Sequence, residues 1–156
     1  MNVVTKKFFA SLNIYIHNAY GMSENSGPQT LTNLDLHTKL DNDLYNTAGQ
    51  QLAGTDMMID QPDKDGNGEI CMKGRNRFVG YHNNEAETRK TIDSKGYLHS
   101  GDIGKIDAAG NLFITGRLKE LIITAGGENV SPILIEDDIK VKLPFIANAM
   151  VIGEAK

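Results

Sequence analysis

Three stretches of this sequence combine residue types that can hold a nucleotide. The first, Asn18-Ala19-Tyr20-Gly21-Met22-Ser23-Glu24, joins an aromatic, a glycine, a hydroxyl and a carboxylate directly after an alternating segment. Gly21 allows close backbone approach to a ligand, Tyr20 offers a flat face for a base, Ser23 can donate to a phosphoryl oxygen, and Glu24 can hold a hard cation. Taken alone, a strand-to-loop turn with a surface acid is the plainer reading. The second, Tyr97-Leu98-His99-Ser100-Gly101-Asp102, puts an acid just after a tight turn between two β segments. A carboxylate there can accept hydrogen bonds from two ribose hydroxyls, although aspartate is also an ordinary turn residue. The third runs from Gly116-Arg117-Leu118-Lys119-Glu120 to Thr124-Ala125-Gly126-Gly127-Glu128-Asn129-Val130-Ser131-Pro132. Paired glycines, preceded by an arginine able to fork onto ribose or phosphate, suggest a mobile loop brought to a ligand; the alternative is a hairpin that needs glycine for its turn.

A fourth stretch points to different chemistry. Asp63-Lys64-Asp65-Gly66-Asn67-Gly68-Glu69-Ile70 copies the first eight positions of an EF-hand calcium loop. The twelfth position, which needs a bidentate acid, is Gly74, and strands are expected on both sides where an EF-hand has helices. A plain acidic hairpin turn is the better reading.

The elements that must position these groups follow from periodicity and turn signals. Val4, Phe8 and Leu12 recur at helical spacing, and Asn13 to His17 alternates as a short strand. From Thr38 to Ile59 the pattern is that of short strands broken at Gly49 and Gly54. Glu69 to Lys73 and Phe78 to Tyr81 read as strands, and Asn84 followed by Glu87 starts a helix ending near Ile92. Tyr97-Leu98, Ile103 to Ile106 and Leu112 to Ile114 make the centre β-rich, with a hairpin turn at Asp107 to Gly110. Ser131 as N-cap and Pro132 at the first helical position open a helix that stops by Leu143, before Pro144. Ala147 to Ile152 reads as a strand.

Composition narrows the class. The 156 residues have 40% hydrophobic and 23% charged content, which is that of a globular chain. A net charge of -4 with no basic run gives no footprint for nucleic acid. Cys71 is the single cysteine, so no internal disulfide can form, and a small buried hydrophobe is its expected role. No stretch reaches the roughly 18 apolar residues of a membrane span. A cytoplasmic location is expected, with peripheral contact to the endoplasmic reticulum or another membrane left open.

Taken in order, the three nucleotide-type stretches, with Gly68-Glu69-Ile70-Cys71-Met72-Lys73-Gly74 through Gly80-Tyr81 between them, resemble the acyl-adenylate-forming superfamily. Ile122 to Val130 and Pro144 to Gly153 are most similar to the bubblegum-type long- and very-long-chain fatty acyl-CoA synthetases. One departure from the wider superfamily is Leu134, where many members carry an acid; Glu136 is kept.

The resemblance implies an α/β fold. Residues 1–117 would be the C-terminal part of a large AMP-binding domain with a β-rich subdomain; 118–156 would be a hinge and the start of a small α+β domain. It implies ATP, Mg2+ and coenzyme A as co-substrates and a long- or very-long-chain fatty acid as acyl donor. Tyr20 would stack on adenine, with Asn18, Ala19, Gly21 and Met22 lining the pocket. Ser23 would touch the α-phosphate, Glu24 would ligate Mg2+, Asp102 would bind the ribose hydroxyls, and Arg117 would support the ribose. Lys119 would be the hinge, and Gly126, Gly127, Glu128 and Asn129 would line the coenzyme A channel. The family's phosphate loop and distal catalytic lysine are expected upstream and downstream of these residues. Other acyl- or aryl-adenylating ligases, and a non-catalytic nucleotide binder, remain as alternatives.

Overall fold

A computed structural model describes residues 3–32, 45–124 and 129–153. Its centre is a seven-stranded antiparallel sheet in the order β1-β2-β3-β7-β6-β5-β4. The strands are β1 (Ala19–Tyr20), β2 (Thr30–Leu31), β3 (Gly49–Gln51), β4 (Thr55–Asp60), β5 (Gly68–Gly74), β6 (Leu98–Ile106) and β7 (Asn111–Arg117). Three helices, α1 (Val3–Ser11), α2 (Glu85–Thr91) and α3 (Pro132–Lys142), lie before, within and after it. A separate two-stranded pair, β8 (Ile122–Ile123) and β9 (Asn129–Val130), precedes α3. Among the described residues no helix is long and apolar enough to cross a membrane.

The sheet cannot be flat. Strands β3 and β4 stand four positions apart in the order, roughly 19 Å in a flat sheet at about 4.8 Å per strand. Gln51 and Thr55 are joined by only four chain steps, which span at most about 14 Å. The sheet therefore curls until the two strands meet, and Gln51 Nε2 donates to the Thr55 carbonyl at 2.9 Å.

The core forms inside that curl. Ile70, Met72, Leu98 and Leu112 are fully buried, and Tyr20, Ala48 and Met57 complete the cluster. In β5, Ile70, Cys71 and Met72 are buried in succession, so the expected one-face alternation gives way to burial on both faces. Buried polar side chains join the short strands. Thr30 donates to the Ala48 carbonyl at 2.7 Å, Thr47 to the Leu112 carbonyl at 2.8 Å, and Gln29 Nε2 to the Asp56 carbonyl at 2.8 Å. Each buried side chain is thereby paired with a carbonyl of a neighbouring segment.

Helix α2 starts as the capping signal implies, with the Asn84 side chain accepting from the Glu87 N–H at 3.1 Å. Helix α3 also runs where Ser131-Pro132 and Pro144 place it, but the Ser131 hydroxyl makes no capping bond. That hydroxyl is turned instead toward Gly116 of β7, where an added Cβ would sit 2.7 Å from it.

Three expectations fail. Asn13–His17 and Ala147–Ile152 form no ladder among the described residues; alternation makes a segment able to pair without supplying a neighbour. The Val151 N–H, which a strand would have offered to a ladder, donates to Glu136 at 2.9 Å. Phe78–Tyr81 is also not a strand: only the bridge Asn25↔Arg77 precedes it, and Gly80, at φ +154°, breaks the run. The apolar stripe of α1 faces outward, with Val4, Phe8 and Leu12 all exposed. The helix is tied down through buried Lys6, whose Nζ donates to the Tyr45 carbonyl at 2.6 Å.

Gly49 marks where the curl is tightest. It has φ +97°, and a Cβ there would fall inside the backbone of Leu31 and Thr32. Gly49→Ala is expected to destabilise the chain by at least about 1–3 kcal/mol from backbone strain alone. Urea unfolding of the two forms checks this.

Candidate functional site

The site begins with an irregularity in β6. Register places Cys71 opposite His99 and Glu69 opposite Ile103, so two steps along β5 match four along β6. The surplus residues form a bulge at Ser100-Gly101-Asp102, with Gly101 at φ +73°. The expected tight turn between two strands is thus a bulge inside one continuous strand, a device that redirects side chains without ending the ladder. The Gly101 N–H donates to Glu69 Oε1 at 2.9 Å, and the Asp102 N–H to Ser100 Oγ at 3.0 Å.

The bulge aims Asp102 at two distant parts of the chain. The Tyr20 hydroxyl donates to Asp102 Oδ2 at 2.9 Å, and Arg117 Nε donates to Oδ1 at 2.9 Å. Arg117 stands directly opposite Asp102 in the β6–β7 register. The carboxylate is mostly buried, at 14% exposure, whereas the guanidinium is 63% exposed and reaches outward. Burial pushes the Tyr20 hydroxyl above its ordinary range, with the Asp102 charge acting the same way. Tyr20 therefore stays a neutral donor at physiological pH. The hydrogen bond to Asp102 holds the Arg117 guanidinium above its already high range. Two groups separated by 97 residues of chain meet at one carboxylate.

Glu24 belongs to an adjoining group. Its Oε1 accepts from the Tyr81 hydroxyl at 2.7 Å, and its carbonyl accepts from the Phe78 N–H at 2.7 Å. The bond to Glu24 raises the Tyr81 hydroxyl above its usual range. One carboxylate oxygen is thereby oriented while the second is left to meet a hard cation.

The remaining sequence candidates take varied places. Asn18 is structural in its contacts: Nδ2 donates to the Thr47 carbonyl at 2.7 Å, and its N–H donates to Thr32 Oγ1 at 2.8 Å. Ala19 is exposed on β1, and Met22 packs on the core cluster. Gly21 accommodates its own loop, since a Cβ there would lie 2.9 Å from the Gly27 carbonyl oxygen. Ser23 is exposed in the turn before Asn25. Lys119 is exposed in a single 3-10 turn, Leu118–Glu120, that contains no buried residue and joins β7 to β8. Gly126, Gly127 and Glu128 lie outside the described residues; Asn129 opens β9.

Beside that turn lies a cleft of about 540 Å³ between the β4–β5 turn and α3, lined by Lys105, Leu118, Leu121, Ser131 and Leu134. Tyr20, Asp102 and Arg117 do not line it. The Asp63–Gly68 turn is a closed hairpin bend: Asp63 Oδ1 accepts from the Asp65 and Asn67 N–H groups at 2.9 Å each. Strands β4 and β5 flank it, as the hairpin reading required and the calcium reading did not.

Sequence reasoning assigned no role to Tyr81, Ser100, Glu69 or His99. Glu69 and His99 are 30 positions apart, and only register brings them together. Cys71 is fully buried beside them, and burial with the nearby acids pushes its thiol up to about 12.

The curled sheet and its bulged, acid-bearing strand define a nucleotide-binding class of fold, that of the acyl-adenylate-forming enzymes. The fold matches O-succinylbenzoate coenzyme A synthetase (MenE) of Bacillus subtilis, in a complex with ATP and magnesium, with a TM-score of 0.83. That match has 25% identity and covers 100% of this chain and 32% of the other. An ATP-bound RpMatB-BxBclM chimera matches with TM-score 0.80 and 30% identity over 97% of this chain and 30% of the other.

Residues 1–82 match the AMP-binding enzyme family, and the chain belongs to it. Within the family it is 50% identical over 152 residues to the long-chain-fatty-acid–CoA ligase ACSBG2 of Xenopus laevis, covering 97% of this chain and 20% of that protein. It is 47% identical over 156 residues to the ligase ACSBG1 of Mus musculus, covering 100% of this chain and 21% of that protein. The chain spans about a fifth of the length of these curated relatives.

Two outcomes follow from this geometry. Tyr20→Phe and Asp102→Asn are each expected to lower stability by about 1–2 kcal/mol, and the double variant by less than their sum, with a coupling on the order of 1 kcal/mol. A double-mutant cycle in urea reads the coupling. Cys71 is expected to resist alkylation by iodoacetamide at pH 7.5 in the folded chain and to react fully in urea, as mass spectrometry would show.

Proposed function

We propose that this chain is the ribose- and metal-facing portion of a long-chain fatty acid–CoA ligase. Such an enzyme converts ATP, fatty acid and coenzyme A to acyl-CoA, AMP and diphosphate through an acyl-adenylate. The observation that carries the reading is the meeting of Tyr20 and Arg117 on the Asp102 carboxylate. Identity near one half to relatives named as such ligases supports the acyl donor class.

In this reading Asp102 accepts the 2′ and 3′ ribose hydroxyls. A carboxylate already oriented by two donors keeps lone pairs free for them, so the site is set before the nucleotide arrives. Tyr20 stands beneath the base and orients Asp102, while exposed Arg117 reaches the ribose. Ser23, in its exposed turn, donates to the α-phosphate. Glu24 supplies a hard oxygen for Mg2+, an ion that would neutralise phosphate charge when bound. The chain's own contribution is to hold these groups at fixed separation, so that attack on the α-phosphate needs little rearrangement.

The division into 1–117 and 118–156 is part of the proposal, with Lys119 as pivot. A one-turn element without buried side chains can change torsion without disrupting a core. Gly126 to Asn129 would then be carried toward the site to line the coenzyme A channel. A cytoplasmic enzyme with peripheral membrane contact fits a substrate of this kind.

A graft tests the reading. The 156 residues replace the matching segment of the mouse ligase, and acyl-CoA formation is measured with palmitate, ATP and coenzyme A. Activity is expected in the graft and none in the isolated chain. Asp102→Ala in the graft should raise the KM for ATP by about 10- to 100-fold, the loss of one or two hydrogen bonds to a charged acceptor. An inactive graft that folds, or an unchanged KM in the variant, would refute the assignment.

A further inference from the structure

Gly101 is the least constrained point of the bulge that carries Asp102. Its φ of +73° is open to glycine, and nothing lies within 4 Å of the place a Cβ would occupy. Side-chain packing against that position therefore does not hold the backbone there. On the β5 side the ladder is also interrupted, because the register skips from Ile103 to His99, while on the β7 side it continues through Asp102↔Arg117. What fixes the bulge against β5 is side-chain hydrogen bonding.

One side chain from the neighbouring strand takes hold of both flanks of Ser100. Glu69 Oε1 accepts from the Gly101 N–H at 2.9 Å, and Oε2 lies 2.7 Å from His99 Nδ1. The carboxylate is itself well shielded, at 18% side-chain exposure. Asp93 Oδ2 lies 3.9 Å from His99 Nε2, beyond hydrogen-bond range. Asp93 is fixed at its Oδ1 by the N–H groups of Lys95 and Tyr97, at 2.9 and 2.8 Å. Glu69, Cys71 and His99 offer donor atoms within 4.8 Å of one another, a spacing open to a metal ion. The closest of these approaches is already a hydrogen bond, however, and the second Glu69 oxygen is occupied by Gly101.

We propose that Glu69, braced by His99, is a positioning residue of the nucleotide site: it clamps the Ser100-Gly101-Asp102 bulge so that the Asp102 carboxylate meets Tyr20 and Arg117 at the angle the ribose requires. The proposal rests on the ligase reading for its consequence in catalysis, while the clamp itself is a property of the fold. Glu69 touches no reacting atom. Its effect is carried by one backbone step, from the Gly101 amide to Asp102.

Two measurements decide it. In the grafted ligase, Glu69→Ala is expected to raise the KM for ATP by about tenfold, the equivalent of one lost hydrogen bond to a charged acceptor. The KM for palmitate and for coenzyme A should change by less than about twofold. Glu69→Gln keeps an acceptor for Gly101 and should restore most of the ATP KM; His99→Ala, which only loosens the brace, should fall between. Equal loss toward all three substrates, or no rescue by glutamine, would mean a merely structural role and overturn the proposal. In the 156-residue chain without substrate, hydrogen exchange at the Gly101 amide should be slowed in the parent and in E69Q and faster in E69A. Equal Gly101 exchange in the parent and E69A would remove the clamp even if the graft is active. An inactive parent graft would instead sink the ligase reading and leave the clamp to be judged by exchange alone.

Discussion

Asp102 accepts two hydrogen bonds that arrive from opposite ends of the described chain, and the arrangement of the sheet follows from what those bonds need. Tyr20 sits on an outer two-residue strand and Arg117 ends the strand beside β6. For both to reach one carboxylate, β1 must curl over the end of β6. The three-residue link between β3 and β4 enforces that curl, and the contact of Gly49 with Leu31 and Thr32 permits it. A flat version of the same ladder would hold Tyr20 several strand spacings away.

The price of so sharply curled a sheet is short strands, and β1, β2 and β3 have only two or three residues each. Gln29, Thr30, Thr47 and Asn18 pair from their side chains with carbonyls of neighbouring segments, which is why so many buried residues near the site are polar. Ion pairs contribute less: those on α2 and α3 lie between exposed side chains, where solvent screening leaves them little net effect. The fold around the site is held by buried neutral hydrogen bonds and a compact apolar cluster.

Local signals were legible where they act within a few residues. The Asn84 cap, the Asp107–Gly110 bend and the Asp63–Gly68 bend appear where their chemistry places them, and α3 starts at Pro132 although the Ser131 hydroxyl makes no capping bond. Asn13–His17, Phe78–Tyr81 and Ala147–Ile152 share a different property: each alternates well enough to be a strand, yet a strand exists only when a second one lies alongside. Helix α1 forms where its spacing places it, but the side it buries is decided elsewhere. Helical spacing identifies a stripe but not which neighbour covers it, and buried Lys6 shows that this helix meets Tyr45 by its other side.

The sequence by itself determined the family, because short ordered stretches such as Tyr20 to Glu24 and Gly116 to Glu120 carry that information in residue type and order. It also determined the turns and the helices α1, α2 and α3 closely, since helical spacing, caps and bends depend on neighbours one to four positions away. Only the tertiary structure decided that Asp102 rides on a bulge inside a continuous strand. Only it showed that Tyr20 acts on Asp102 through its hydroxyl, that Glu24 is paired with Tyr81, and that Glu69 and His99 grip the bulge. Each of these depends on strand register, and register is a relation between distant segments that no local pattern of residues encodes.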